Sequence, residues 1–531
     1  MTYFSNKNRF FITDEYWIVD ADGTTVANQP APLTKPDVAN FAIVPDQVTD
    51  ASTFVVEVVA DMVNPISPMI TPVITRGDGT TYTPTTSMLQ YPGTSDDSTE
   101  VWRATVDLEL GENTFTIESA AEGTQTISLW RKTALETITV TNQTDLRNEV
   151  VTMLRQGSTT DELIIDFDGA DMHAAMASVA NSGSQYNYGD RLTWATIKPA
   201  PGRVVQWDTE DTSEYDIRPN ATFICCEGWT IGSSTQTQRG AQLYFPAGHK
   251  AWIKDCTWTA KYDFSYTSAD AGKTSDNLPG PGTGDMAVAD FDGRNWYRNT
   301  AVEMYMTGCN LTGIISPQGG HYMCRDQVYT ECRHDTASNN KITLNLKVNS
   351  VLGLVNASRT DYFHVDLFQR WGNALNGINQ YHNNQYWAGL KLYNNGPLES
   401  ETQILLFDRS VQNSWTYMIW KDIDTTDMDT SFANHFVQFA GWVTNMKVAN
   451  IKTAPAAYFT FRADFVSPAD YQWTPNDVYL TDIEIGKVTY NKVGETSVVV
   501  DTPEAEATDT LNTANTFFAS GMDWVSPNEI L

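Results

Sequence analysis

Basic residues are scarce in this 531-residue chain, where 34 Lys and Arg stand against 65 Asp and Glu and the formal net charge is −31. Neutralising a phosphate backbone requires a patch of Lys and Arg, and an anionic lipid surface attracts the same residues. The composition therefore predicts neither a nucleic-acid-binding protein nor a membrane-surface protein. A strong negative charge also keeps a protein soluble.

Long apolar segments are missing as well. No run of about 18 apolar residues occurs, so we expect no membrane-spanning helix and no membrane insertion. The opening segment, MTYFSNKNRFF, has neither the apolar core nor the cleavage site of a secretory signal. We expect a protein that is made in the cytoplasm and released by lysis within a virus particle, which places it on the virion surface.

Cysteine occurs in only one segment, between Cys225 and Cys332, and the six residues form none of the CxxC pairs of a zinc site. Several lie in similar surroundings, IKDCTW, MTGCNL and YTECRH. Because cysteine is small and readily buried, we interpret these residues as inward-facing thiols in neighbouring repeats, in preference to metal-binding or redox groups. Catalytic signatures such as a P-loop, G-x-S-x-G or H-E-x-x-H are also absent.

What the chain does contain is strand-forming sequence, with 41% hydrophobic and 11% aromatic residues. Residues 1–40 read as an irregular attachment arm or an edge strand. Within 41–133, residues 101–110 alternate apolar and polar side chains, 111–113 predict a turn, and 114–117 and 123–130 predict returning strands. The pattern W-x-A-x-V-x-L-x-x-G-x-N-T-F-T-I resembles bacterial Ig-like modules, which implies a spacer or display domain.

Residues 134–495 have a different pattern. A capping helix is predicted near 144–154, with Thr or Asp as its N-cap. Short apolar strands then recur at spacings of about 20 to 30 residues, the period of a β-solenoid. This pattern resembles the right-handed parallel β-helix proteins, namely pectate-lyase-like enzymes and phage tailspikes. We expect an all-β chain in which a right-handed, single-stranded parallel β-helix follows an Ig-like β-sandwich, with a loop insertion at 261–298 and an acidic C-terminal segment at 496–531.

The sharpest cluster of functional residue types is DYFHVDLFQRWG at 361–372. In a strand, alternating residues share a face, and one such face would combine ionisable groups with aromatic rings that stack on sugars. Candidate ligand-binding residues here and in the following repeats are Tyr362, His364, Arg370, Trp387, Trp415 and Tyr417. Weak catalytic candidates are Asp366, Asp408 and Asp422, since glycoside hydrolysis needs two carboxyl groups.

No cofactor is predicted, although Asp422, Asp424, Asp427 and Asp429 leave open a calcium site. We expect a structural virion protein, a tail spike or fibre or a capsid-attached fibre, that binds host surface glycans. The resemblance implies a homotrimer joined to other virion proteins through its N-terminal region. One alternative is a polysaccharide hydrolase or lyase on the same scaffold, although the polygalacturonase and pectate-lyase signatures are missing. Another is a secreted bacterial adhesin.

Overall fold

The structure, a computed structural model, describes residues 9–12, 16–19, 25–28, 37–62, 71–119, 123–182, 191–207, 223–231, 250–259, 303–312, 322–332, 341–351, 366–370, 381–393, 403–407, 414–427, 435–440, 442–453, 458–462, 476–484, 487–491 and 498–501. These residues are mostly β-strand, and two helices occur among them. The predicted all-β class is therefore confirmed. The predicted loop insertion, 261–298, lies outside the described residues.

Three short strands come first: β1 (Arg9–Ile12), β2 (Tyr16–Val19) and β3 (Thr25–Asn28). They form one antiparallel sheet within the predicted N-terminal arm. The next strand, β4, belongs to the following unit, which therefore begins at Asp37 and not at residue 41.

The described residues of 37–131 form what we call the antiparallel unit. Its strands are β4 (Asp37–Phe41), β5 (Gln47–Thr49), β6 (Thr53–Met62), β7 (Ile74–Arg76), β8 (Thr81–Tyr82), β9 (Thr85–Gln90), β10 (Asp97–Asp107), β11 (Gly111–Ser119) and β12 (Gly123–Arg131). They make two sheets, β4-β6-β10-β9 and β5-β12-β11-β7-β8. Alternate residues of β10 and β11, such as Val106, Phe115 and Ile117, fill the core between the sheets. Because β10 and β11 lie in different sheets, the segment between them is not the hairpin turn that the sequence predicted.

The second unit opens with β13 (Thr137–Val140), α1 (Gln143–Leu154), β14 (Glu162–Ile165), β15 (Ala170–Asp171) and α2 (Met172–Ser182). The predicted helix is confirmed, but its N-cap is Asn142, whose side chain accepts a hydrogen bond from the backbone N–H of Asp145. The sequence did not predict α2. Leu146, Val150 and Leu154 are buried, which positions α1 over the first strands.

The strands that follow are β16 (Ala195–Pro199), β17 (Val205–Trp207), β18 (Ile224–Glu227), β19 (Trp229–Ile231), β20 (Lys250–Lys254), β21 (Thr257–Thr259), β22 (Glu303–Thr307), β23 (Asn310–Thr312), β24 (Met323–Cys332), β25 (Ile342–Val351), β26 (Asp366–Arg370), β27 (Tyr381–Leu392), β28 (Gln403–Phe407), β29 (Ser414–Thr425), β30 (His435–Ala440), β31 (Trp442–Thr453), β32 (Tyr458–Arg462), β33 (Asn476–Glu484), β34 (Lys487–Asn491) and β35 (Val498–Asp501). β13 to β25 together with β27, β29, β31 and β33 form one parallel sheet of 17 strands, which we call the parallel stack. A smaller sheet has the order β26-β28-β30-β32-β34-β35, and from β25 to β34 the chain alternates between the two sheets.

Eight successive layers of the parallel stack, here called rows, each bend at one residue with left-handed backbone geometry. These residues are Gly228, Asp255, Gly308, Asp326, Asn345, Gly389, Asp422 and Asn450, and the strand registers place them directly above one another. Only Gly, Asn and Asp adopt this geometry readily, and only those three types occur here. We call this line the corner ladder.

The cysteines are packing residues, as the sequence predicted. Cys225, Cys226, Cys256, Cys309 and Cys324 are free, buried thiols, and burial raises the pKa of Cys226 and of Cys309 well above the ordinary value. Cys256 and Cys309 occupy equivalent positions of neighbouring rows. Cys225 instead belongs to the apolar cluster that the stack shares with the antiparallel unit. The side chain of Cys332 lies outside the described residues.

The antiparallel unit packs along the outside of the parallel stack. Val44, Val59, Leu89 and Val101 of the unit share one apolar cluster with stack residues from Trp194 to Ile419. Ion pairs join the surfaces at Lys250–Asp46 (3.2 Å), Arg325–Glu57, Lys391–Asp96 (3.2 Å) and Lys421–Asp61 (3.5 Å). In every pair the stack supplies the cation and the unit supplies the carboxylate.

Strand β6 runs along the direction in which the rows stack. Its Glu57 pairs with Arg325 and its Asp61 with Lys421, and the registers place Lys421 three rows beyond Arg325. Three rows span about 14 Å and four strand residues about 13 Å. This near match lets one strand place a carboxylate opposite a cation twice.

Gly389 is where the two surfaces come closest. Its φ is +71°, and a Cβ atom there would clash with Ser98 Oγ and lie 3.1 Å from Thr99 Cγ2. We predict that Gly389→Ala costs about 3 kcal/mol of unfolding free energy, because left-handed strain and overpacking add. Gly202→Ala is the control, since Gly202 has φ +81° with no atom within 4 Å of the added Cβ, and should cost about 1 kcal/mol. Urea unfolding compares the two, and equal losses would contradict the close contact.

The interface also predicts sensitivity to alkaline pH. Burial raises the pKa of Tyr386 to about 12. Burial opposes the charge of Lys421, but Tyr386, Asp61 and Asp422 more than offset this and raise its pKa. Groups whose pKa is raised by folding stabilise the protein below their unfolded pKa and lose that contribution as the pH rises through the folded one.

We therefore predict that urea midpoints fall from about pH 10 upward. Tyr386→Phe should make the fall shallower, because the variant keeps up to about 3 kcal/mol of unfolding free energy that the unmodified protein loses by pH 12. Identical profiles for Tyr386→Phe and the unmodified protein would argue against this account.

Candidate functional site: a groove beside the corner ladder

A groove of about 610 Å³ lies where the antiparallel unit meets the corner ladder. One wall is the end of β9 and the turn after it, and the other is three successive rows of the stack. The lining residues are Gln90, Pro92, Gly93, Gly308, Asn310, Asp326, Val328, Asn345 and Lys347. The groove is therefore lined by both polar and apolar surface, and residues of both units contribute to it.

Asn345 lies at the bottom of the groove and is 2% exposed. Its Nδ2 donates hydrogen bonds to the carbonyl oxygen of Gln90 (2.9 Å) and to Asp326 Oδ1 (2.6 Å). Its Oδ1 is buried and accepts no hydrogen bond from the protein. A buried carbonyl oxygen without a donor is unusual in a native structure, and here the Nδ2 side of the amide, not this oxygen, contacts the groove-lining Gln90 and Asp326.

Lys347 lies two residues further along the same row and supplies the cation of the groove. Its ammonium donates to the carbonyl oxygen of Pro92 (3.3 Å) and lies 5.1 Å from the centroid of the Tyr393 ring. Tyr393 in turn donates to Asp96 Oδ2 (3.0 Å), which Lys391 also contacts. These contacts hold the turn that forms one wall of the groove.

Two carboxylates flank Gly308 on the corner ladder, Asp255 one row before it and Asp326 one row after it. Asp326 accepts from Arg325 Nε (2.8 Å) and from Asn345. Asp255 extends over Gly308, where a Cβ would clash with its Oδ1. Desolvation raises the pKa of Asp255, and the nearby carboxylates of Glu227 and Asp326 add to the rise, which Lys254 partly opposes. The corner ladder thus holds two different carboxyl groups. That of Asp326 accepts hydrogen bonds from Arg325 and Asn345, and that of Asp255 has a raised pKa.

The sequence-predicted site residues that the structure describes lie in two different sheets. Asp366 and Arg370 are the ends of β26 in the smaller sheet, whereas Trp387, Trp415, Tyr417 and Asp422 lie in the parallel stack. Tyr362, His364 and Asp408 lie outside the described residues, as do the side chains of Asp366, Arg370, Trp415 and Tyr417.

For two of the predicted residues, Trp387 and Asp422, the structure shows what the side chain contacts. Trp387 is 3% exposed and stacks on Trp420 of the next row, with ring centroids 5.8 Å apart, so it is not presented to an outside ligand. Asp422 is a corner-ladder residue whose Oδ2 accepts from Thr99 Oγ1 (2.5 Å) and whose Oδ1 accepts from Asn450 Nδ2 (2.7 Å). Its carboxylate therefore joins the two units, a role that differs from the predicted catalytic one.

Sequence reasoning missed Asp255, Asp326, Asn345 and Lys347. Asp255, Asp326 and Asn345 share a signal that could have been found, since each interrupts a strand with a residue type that tolerates left-handed geometry. No group of three or more His, Cys, Asp or Glu suited to a metal ion occurs in the part of the chain that the structure describes. Within the same residues, no helix has the length and apolar character needed to cross a membrane.

Comparison with known proteins gives no relative. No protein-family model, no curated protein and no solved structure matches this chain.

The strained electrostatics of Asp255 predict a stabilising substitution. Folding raises the pKa of the Asp255 carboxyl. The protonated carboxyl therefore contributes stability at low pH, and this contribution is lost as the carboxyl ionises when the pH rises through the folded-state pKa. We predict that Asp255→Asn raises the urea midpoint at pH 7 and leaves it unchanged near pH 3. Asp326→Asn is the matched control and should lower the midpoint at pH 7, because Asp326 accepts a charge-assisted bond from Arg325. A lower midpoint for Asp255→Asn at pH 7 would show that its carboxylate is stabilising.

Proposed function

We propose that this chain is a virion spike or fibre subunit that binds host surface glycans, built as a right-handed parallel β-helix with an Ig-like β-sandwich docked on its side. In-register parallel rows and the alternation of the chain between two sheets support the β-helix. Two largely antiparallel sheets around one core, with a single parallel pair at β5–β12, support the sandwich. The net charge of −31 suits a soluble particle surface and opposes nucleic-acid binding.

The observation that carries this proposal is the ion-paired docking of the antiparallel unit along the stack, which forms the groove between them. Binding surfaces are most effective when rigid elements hold them, because less conformational entropy is lost on association. Four ion pairs and a shared apolar cluster hold these walls together. Such an arrangement favours recognition of an outside molecule.

A glycan-cleaving enzyme on the same scaffold is the second candidate, and Asp255 and Asp326 are the observation that favours it. Two rows separate their backbones by about 10 Å, and inverting glycosidases hold their carboxyl groups roughly 6.5–9.5 Å apart. The raised pKa of Asp255 suits a general acid, and the hydrogen-bonded Asp326 suits a base. Binding remains the main proposal, because Asp326 is the one carboxylate among the described groove-lining residues.

One experiment separates the two functions. The purified protein is incubated with envelope polysaccharides from candidate host cells, and we measure both retention on the immobilised polysaccharide and release of reducing ends. We expect retention without new reducing ends. Release that falls at least a hundredfold in both Asp255→Asn and Asp326→Asn would establish the enzyme instead, and absence of both signals would overturn both proposals.

The virion assignment has its own test. We expect antibodies against the purified chain to label the surface of virus particles in electron micrographs, and sedimentation equilibrium to give a trimer of about 178 kDa, three times the 59.2 kDa chain. A monomer that labels no particle would favour the adhesin alternative.

A further inference from the structure

We draw no further inference here: the strongest candidate, the outer face of the β5-β12-β11-β7-β8 sheet, where Thr81, Thr75, Thr116 and Thr126 lie side by side in register on four neighbouring strands, is a partly exposed stripe of small polar residues, and nothing in the structure shows what covers it.

Discussion

The structure depends on one backbone constraint, the left-handed residue that recurs at the same register position in successive rows of the parallel stack. It turns eight successive rows at one point, and the residues on either side of that point pair in register with the rows above and below. Because only Gly, Asn and Asp tolerate that geometry, the positions that shape the fold are also rich in small polar side chains. The groove inherits its Asp and Asn residues from this requirement.

The second constraint is electrostatic. A chain with 34 basic residues and a net charge of −31 repels itself when it compacts, yet it places four of its cations on one face of the stack opposite four carboxylates of the antiparallel unit. Removing one partner of a largely buried pair such as Arg325–Glu57 costs more than removing one partner of an exposed pair, because the remaining charge is left desolvated. The same acidity that keeps the surface soluble therefore also fixes where the antiparallel unit lies.

Much of the strand content was predictable, because alternation in 101–110 and short apolar runs after 220 report burial on one or two faces. The helix α1 was predictable from its cap and the apolar residues that follow it. The burial of the thiols was predictable from the small size of cysteine and the similar surroundings of several of them. The candidate site did not follow. The sequence drew attention to aromatic and ionisable residues at 361–372 and in the repeats that follow, and of the latter Trp387 is a core residue and Asp422 a docking residue. The signal at Asp255, Asp326 and Asn345 is a single polar residue inside a strand, which has many ordinary explanations.

By itself the sequence determined that this protein is β-rich, acidic and repetitive, because composition and local periodicity set which residues can be buried in a strand. Only the tertiary structure decided which polar residues meet. Asp255, Asp326 and Asn345 lie in separate rows, and Gln90 lies in another unit, so their proximity follows from the register of the rows and from the docking of the two surfaces. Register and docking are collective properties of many pairings, and no short segment of the chain contains them.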